Sequence, residues 1–372
     1  MKVIHFYKTY YPDTHGGMEE AIRQLCLQTS KRGVSNTVVT ISKSVTEPEV
    51  LERPECTLIR FPMTFDVAST PFSWKLFRAF RSLAADADLI HHHYPWPVAD
   101  VMQLLSGVKK PYMITYQSDI VKQKFLRVFY APFEAFFLRK AELITVASPP
   151  YMKSSKTLSK YLDKCHLMEL GLDISSFPEV DAARRKSWED KVGTDFFLFV
   201  GVLRYYKGLE YLVKALQGTD LKVVIVGDGP MREALHQEAK KLGVLNQIVF
   251  TGFLPNEDKV CLYSLCLAFV FPSHLRSEAY GVSLLEAAAF GCGLISCEIN
   301  TGTSYINQDK ETGIVVPPAQ PSALRLAMET LVNNSQLAKT YGEAARQRYE
   351  NVFKADKMAE TCIQLYKQVL EK

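Results

Sequence analysis

Two carboxylates, Glu278 and Glu286, stand in the segment Ser277-Glu278-Ala279-Tyr280-Gly281-Val282-Ser283-Leu284-Leu285-Glu286-Ala287-Ala288-Ala289. The run from Val282 to Phe290 is rich in Leu and Ala, so a helix is expected there, with Gly281 marking the change from loop to helix. Glu278 then lies in the loop ahead of the helix and Glu286 about one and a half turns inside it. At a rise of ~1.5 Å per residue the two are about 12 Å apart if every step is helical, and farther apart with an extended loop. That is too wide for a carboxylate pair sharing a proton. It suits two acceptors that hold hydroxyls at opposite ends of one long ligand, with the open N–H groups of the helix start facing an anion between them. A nucleoside-diphosphate sugar has that order of groups. An amphipathic helix with one solvated Glu would show the same spacing. The helix is apolar at nearly every other position, however, so Glu286 is a carboxylate on an element expected to be buried. A buried carboxylate without a partner is strongly unfavourable, so one that persists is expected to have a use.

These residues need elements to hold them. Short apolar runs alternate with longer helical patterns, the signature of parallel βα units. Strands are expected at 2–7, 36–41, 57–61, 88–92, 112–116 and 143–147, and helices near 17–32, 73–86, 97–106, 120–141 and 150–162. A second series starts at Asp195, with strands at 196–200, 222–226, 247–251, 267–271, 293–297 and 313–316. Residues 174–194, with Pro178, Gly193 and a dense charged run, read as the connection. The expected fold is α/β, with two Rossmann-like domains, 1–180 and 195–352, facing each other across a cleft. Helices near 320–331, 336–352 and 355–371 close the chain, and the final stretch, 353–372, is expected to cross back onto the first domain.

Other constellations fall where such strands end. Gly16-Gly17, in Tyr11-Pro12-Asp13-Thr14-His15-Gly16-Gly17-Met18-Glu19, would let a phosphate approach the backbone, although a plain βα turn looks the same. Gly227-Asp228-Gly229-Pro230 supplies only the first two glycines of a dinucleotide fingerprint, which disfavours hydride-transfer chemistry. In Gly201-Val202-Leu203-Arg204-Tyr205-Tyr206-Lys207-Gly208, Arg204 and Lys207 are cations placed where a diphosphate would be met. Of His91-His92-His93, only His91 and His93 share a face and could share a metal, and no acidic residue is close in sequence. A hydrogen-bonding wall for a sugar acceptor, including His93 and Tyr94, fits better, with at least two of the three histidines structural. Gln117 and Asp119, in Thr115-Tyr116-Gln117-Ser118-Asp119, likewise end a strand with polar groups. The stretch 122–140 mixes aromatics with cations, as would a surface resting on an anionic membrane or a helix packed on the sheet.

Composition excludes several classes. A net charge of +4 with no dense basic run argues against nucleic-acid binding. Eight scattered cysteines without a C-x-x-C pair fit reduced thiols in a cytoplasm rather than zinc ligation. Neither a signal peptide nor an apolar run of about 18 residues is present, so a cytoplasmic protein, peripheral at most to the inner face of the plasma membrane, is expected.

Taken together, these residues resemble a retaining GT-B glycosyltransferase of glycosyltransferase family 4. The resemblance spans the chain and is strongest from Gly201 to Pro317. It rests on E-x7-E at Glu278 and Glu286, with Tyr280-Gly281 in the aromatic-Gly position. Gly227-Asp228-Gly229-Pro230, Thr251-Gly252-Phe253, Phe271-Pro272-Ser273 and Thr312 through Pro317 follow in the family's order. The resemblance implies that Glu278 contacts the donor sugar and Glu286 its ribose. It implies that the backbone of Tyr280, Gly281, Val282 and Ser283 touches sugar and diphosphate, and it places Phe253 in the donor set. Lys207 and Arg204 would neutralise the leaving diphosphate, and Gly16 and Gly17 would close over it. Charge stabilisation of this kind needs no metal and no further cofactor.

The chain departs from the family pattern in two places. Val202 stands where many members carry Arg, with Arg204 as the substitute, and Gln117 stands where many carry His. Glutamine is neither acid nor base. The proton of the acceptor would then pass to a phosphate oxygen of the leaving group, with Asp119 the nearest side-chain candidate. The Leu203–Leu209 and Tyr116–Val121 variants are similar to those of bacterial mannosyltransferases of O-antigen and exopolysaccharide assembly. That likeness implies GDP-mannose as donor, a lipid-linked oligosaccharide as acceptor, and other polysaccharide-assembly enzymes as partners. The alternatives are a UDP-sugar donor or a catalytically silent sugar-nucleotide-binding scaffold.

Overall fold

Short runs of β-branched and aromatic residues, buried on both sides, build two mainly parallel sheets. The computed structural model describes residues 1–14, 16–67, 69–120 and 124–371, with backbone alone for 124–129. The chain divides into two compact units, Met1–Gly171 with Ala355–Lys372, and Leu172–Lys354.

The first unit contains β1 (Lys2–Phe6), β2 (Ser35–Ser42), β3 (Glu49–Glu52), β4 (Thr57–Pro62), β5 (Phe65–Val67) and β6 (Thr70–Phe72). It continues with β7 (Leu89–Tyr94), β8 (Tyr112–Tyr116), β9 (Leu143–Val146) and β10 (Cys165–Leu167). Its helices are α1 (Gly17–Ser30), α2 (Trp74–Ala85), α3 (Pro97–Leu105), α4 (Lys124–Lys140) and α5 (Pro149–Ser154). The sheet order is β10-β9-β8-β7-β1-β2-β4-β3, parallel except for β3 on its edge, and β5 and β6 form a separate hairpin. All six residues of β7 are buried, as a central strand covered on both faces requires.

The second unit contains β11 (Phe197–Val200), β12 (Val223–Val226), β13 (Ile248–Gly252), β14 (Ala268–Phe271), β15 (Gly293–Cys297) and β16 (Gly313–Val316). Its helices are α6 (Ala182–Val192), α7 (Leu209–Ala215), α8 (Arg232–Lys241), α9 (Asn256–Leu265) and α10 (Val282–Ala289). They are followed by α11 (Gly302–Ile306), α12 (Pro321–Asn333) and α13 (Ser335–Val352). The strand order β13-β12-β11-β14-β15-β16, parallel throughout, is that of a doubly wound Rossmann sheet. In such a sheet the loops leaving the strands where the order reverses open a crevice at their C-terminal ends. That point lies between β1 and β7 in the first unit and between β11 and β14 in the second.

The final helix, α14 (Ala355–Leu370), belongs to the first unit. It lies beside α1, where Arg32 pairs with Asp356 at 3.1 Å, and its Tyr366 hydroxyl meets His91 Nδ1 at 2.8 Å. The first unit ends at Gly171, ahead of the residue-180 boundary read from the sequence. The stretch 174–194 is not merely a connection. Asp181 caps α6 by accepting from Arg184 N–H at 2.7 Å, and Trp188 is buried with its indole N–H on Asp258 at 2.8 Å. A capping Asp and one apolar anchor suffice for this helix; its charges are its solvent face. Nor does one helix run over 150–162: α5 ends at Ser154, and two short 3₁₀ turns follow.

Candidate active site

The loop after β11 and the loop after β14 leave neighbouring strands at the reversal of the second sheet. The first ends in a 3₁₀ turn, Tyr205–Lys207, and Gly208 at φ 68°. A Cβ on Gly208 would lie 2.1 Å from the Pro272 carbonyl oxygen, so a residue without a side chain lets the turn dock on Phe271-Pro272-Ser273. The N–H of His274 completes the junction on the Tyr206 carbonyl at 3.0 Å. The consequence is an ion pair: Lys207 Nζ sits 2.5 Å from Glu278 Oε2, with each side chain 11% exposed. Ser273 Oγ donates to the same carboxylate oxygen at 3.2 Å, and the Lys207 ammonium lies 4.7 Å from the centre of the Phe271 ring. Burial, with the charge of Glu278, pushes the Tyr206 hydroxyl up to about 12.

Gly281, in a left-handed conformation at φ 100°, starts α10 without a side-chain cap, and Val282 and Ser283 form a half-buried first turn. Glu286, two thirds along the helix, is buried and accepts from the Tyr263 hydroxyl at 2.9 Å. Tyr263 comes from α9 and stacks on Phe290 at 5.1 Å. Burial first, and Glu286 second, hold its hydroxyl far above the usual tyrosine range, so it remains a donor. The segment carrying Glu278 is braced from outside: Gly302 N–H bonds the Ala279 carbonyl at 2.9 Å, and a Cβ on Gly302 would collide with Tyr280. Sequence reasoning missed Tyr263 and Gly302. A tyrosine on the inner side of a helix reads as core, and Thr301-Gly302-Thr303 reads as an ordinary loop.

The structure therefore joins Lys207 to Glu278 and supplies a partner for Glu286. Arg204 stays exposed at the start of the 3₁₀ turn, Phe253 is 69% exposed in the loop after β13, and Tyr280 is buried.

In the first unit, Gly16 and Gly17 do open α1 after β1. The carboxylate of Glu19 folds back there: a Cβ on Gly16 would lie 2.5 Å from Glu19 Oε2, while Thr9 and Thr14 donate to Oε1 at 2.9 and 2.6 Å. Where a phosphate was expected to approach, a carboxylate of the chain itself, held by the two threonines, lies against the Gly16 backbone. Arg60 anchors the same loop, donating to both oxygens of Asp13 at 3.0 and 2.7 Å.

His91 and His92 are structural. His91 uses both ring nitrogens, on Tyr366 and Thr115, and His92 meets Gln103 at 3.0 Å. His5, which the sequence reading had passed over, bonds His93. Ligating atoms of His5, His91 and His93 lie within 4.8 Å of one another, so the partner of the two β7 histidines comes from β1. Hydrogen bonds fix the tautomers. Asn36 Nδ2 donates to the Cys26 carbonyl, so Asn36 Oδ1 accepts from His5 Nε2–H at 3.1 Å. His5 Nδ1 then accepts from His93 Nε2–H at 3.1 Å, which leaves His93 Nδ1 a buried acceptor with no hydrogen-bond partner. Burial lowers His5 and His92 to about 4 and holds His91 and His93 well below the ordinary range, so all four are neutral. His93, Thr115 and Gln117 line a pocket floored by Leu25, Met168 and Met358. Tyr94 is fully buried, gives its hydroxyl to Glu134 at 2.5 Å and stacks on Tyr116 at 4.6 Å. Tyr116 and Ser155 donate to Asp119 Oδ1 at 2.9 and 2.6 Å.

Residues 16–156 match the family described as glycosyl transferase 4-like domain, and residues 181–348 match glycosyl transferases group 1. The chain is 47% identical over 355 residues to D-rhamnosyltransferase WbpZ of Pseudomonas aeruginosa, covering 95% of this chain and 93% of that protein. It is 45% identical to O-antigen chain mannosyltransferase C of Escherichia coli, covering 100% and 99%. The chain belongs to this glycosyltransferase family. Sucrose-phosphate synthase from Thermosynechococcus elongatus matches the fold of the glycosyltransferase at a TM-score of 0.81 and 22% identity, over 100% of this chain and 99% of that one. The fold is GT-B. As a member of the family the protein is a hexosyltransferase, with a nucleotide sugar and a glycan acceptor as substrates.

No described helix of the glycosyltransferase is long and apolar enough to cross a membrane. Of the stretch 122–140, residues 122 and 123 lie outside the described residues. The described part of α4 exposes Phe133 and Phe136, with Arg139 and Lys140 over the Phe136 ring at 5.5 and 5.7 Å.

Proposed function

We propose that this glycosyltransferase transfers mannose from GDP-mannose, with retention, to a lipid-linked oligosaccharide in O-antigen assembly. The observation that carries the donor half is the Lys207–Glu278 pair beside the open start of α10. A diphosphate arriving at that helix start meets N–H groups and competes with Glu278 for the Lys207 ammonium. The freed carboxylate becomes an acceptor for a sugar hydroxyl, while Glu286, oriented by Tyr263, accepts from ribose hydroxyls. Lys207, Arg204 and the helix start supply the positive charge that the leaving diphosphate needs, so the reading requires no divalent ion. The acceptor proton passes to a phosphate oxygen of the leaving group on the same face, since Gln117 cannot take it. The sugar and the acceptor rest on similarity to the Escherichia coli mannosyltransferase over the full chain. Peripheral contact with the inner face of the plasma membrane, including contact through α4, belongs to the same proposal, as does the company of other polysaccharide-assembly enzymes.

Similarity to the D-rhamnosyltransferase supports a second donor. D-Rhamnose is mannose without the 6-hydroxyl, so the two readings differ by one donor group. A panel of GDP-mannose, a nucleoside-diphosphate D-rhamnose and UDP-sugars, assayed with a lipid-linked acceptor in EDTA, separates them. Turnover of GDP-mannose is expected. Turnover of a UDP-sugar alone would overturn the proposal, and binding without transfer to any acceptor would favour the scaffold. Equal donor affinity in wild type and Glu286→Ala would overturn the ribose assignment.

A further inference from the structure

The first unit carries an aromatic ridge that the candidate site does not use. Phe65 and Val67 on β5, and Trp74 and Phe77 on α2, are 46%, 57%, 53% and 38% exposed. Their rings pack on one another through Phe72: Phe65 stacks on it at 4.9 Å, and Trp74 meets its edge at 4.8 Å. Trp74 in turn meets Phe77 at 5.9 Å. The ridge has a defined place. Trp96, just after β7, donates its indole N–H to the Pro71 carbonyl at 3.2 Å, and Lys8, just after β1, reaches the Ser69 carbonyl at 3.5 Å. The hairpin is thus fixed at the C-terminal rim of the sheet, beside the reversal point.

Charge accompanies the ridge. Arg78 and Arg81, four and seven residues after Trp74, share its exposed helix face, opposite the buried Leu76, Phe80 and Ala84. Both arginines are without a carboxylate partner among the described residues, whereas Lys75 is paired with Glu47 at 2.5 Å. Asp66 is the exposed acid on the hairpin. Clustered exposed aromatics mark an interaction surface. Trp and Phe backed by guanidinium groups match the apolar boundary and anionic headgroups of a lipid surface. A glycan would instead want carboxylate and amide acceptors around the rings.

We propose that the β5–β6 hairpin and the start of α2 form a wedge that seats this enzyme on an anionic bilayer, with the strand-end rim of the first unit at the lipid surface. Its purpose rests on the reading that the acceptor is lipid-linked; its binding does not. The intact chain would be titrated with phosphatidylcholine vesicles with and without phosphatidylglycerol, following tryptophan emission and co-sedimentation. Trp96 and Trp188 are 1% and 9% exposed, so the emission change reports Trp74. A blue shift and sedimentation on the anionic vesicles are expected. Arg78→Gln with Arg81→Gln should partition about thirty-fold more weakly, at roughly five- to sixfold per lost cation. Phe65→Ser with Phe77→Ser should abolish the shift. Turnover of a water-soluble acceptor should be unchanged in these ridge variants and should fall with the acceptor in vesicles. Absent vesicle binding, an unshifted emission, equal binding to neutral lipid, or equal partition of the arginine variant would each overturn the proposal. Loss of turnover on the soluble acceptor would also overturn it, by placing the ridge in the reaction. Vesicle binding by a protein that transfers no sugar would sink the proposed function and leave the wedge standing.

Discussion

Replacing Lys207 by Met should damage stability and chemistry separately, and a second substitution should repair only the first. Lys207 and Glu278 lie 2.5 Å apart with both side chains 11% exposed, so removing the ammonium leaves a carboxylate in a poorly solvated place. Breaking a buried pair from one side costs about 3–5 kcal/mol. Ser273 Oγ still donates to the stranded carboxylate, which favours the lower end, about 3 kcal/mol. For a unit of this size that corresponds to a melting temperature lower by roughly 6–12 °C. In Lys207→Met with Glu278→Gln no charge is left alone, so calorimetry should show most of the loss recovered. Turnover should not recover. The leaving diphosphate still lacks its cation, and kcat should remain about 10²–10³-fold low, the scale of one lost donor at a developing negative charge. If the single variant melts with the wild type, or the double variant is no more stable than the single, the Lys207–Glu278 pair is not a buried, mutually dependent one.

Three further outcomes follow from named contacts. Tyr263→Phe removes the hydroxyl that orients Glu286, and isothermal titration should show donor binding weaker by about tenfold or more, the worth of a hydrogen bond to a charged group; unchanged affinity would detach Tyr263 from the site. Gly208→Ala forces a Cβ against the Pro272 carbonyl at a left-handed φ, so kcat should fall because Lys207 shifts; an active, normally melting variant would contradict the docking of that turn. His5 and His92 have ordinary values of 6.5 and are lowered to about 4 in the fold, so above pH 6.5 both states are neutral. As pH falls from 6.5 towards 4 the unfolded chain takes up protons that the fold refuses, and stability drops by about 3 kcal/mol for each histidine taken alone. A urea midpoint of the first unit that stays level from pH 7 to pH 5 would refute this.

The alternation of apolar runs with helical patterns determined all six strands of the second sheet and the six inner strands of the first, because burial on two faces and burial on one stripe leave different periods in the chain; the edge strands β3 and β10, short and without a fully buried residue, left no such period. The same local logic placed Glu278 before and Glu286 within one apolar helix, and put Lys207 at the end of a strand. Where an element's identity depends on little burial, as in α6 with Trp188 as its one buried residue, the charged surface hid it. Tertiary structure alone decided the partners. Lys207 meets Glu278 because β11 and β14 are neighbours in the sheet, an adjacency that no period within either strand encodes. Glu286 meets Tyr263 because α9 and α10 bring the two side chains into contact, and Glu19 folds onto Gly16 because Thr9 and Thr14 hold it there. Local sequence specifies which face of an element is buried. Which polar atoms converge depends on strand order and loop docking, which are set by the whole chain at once.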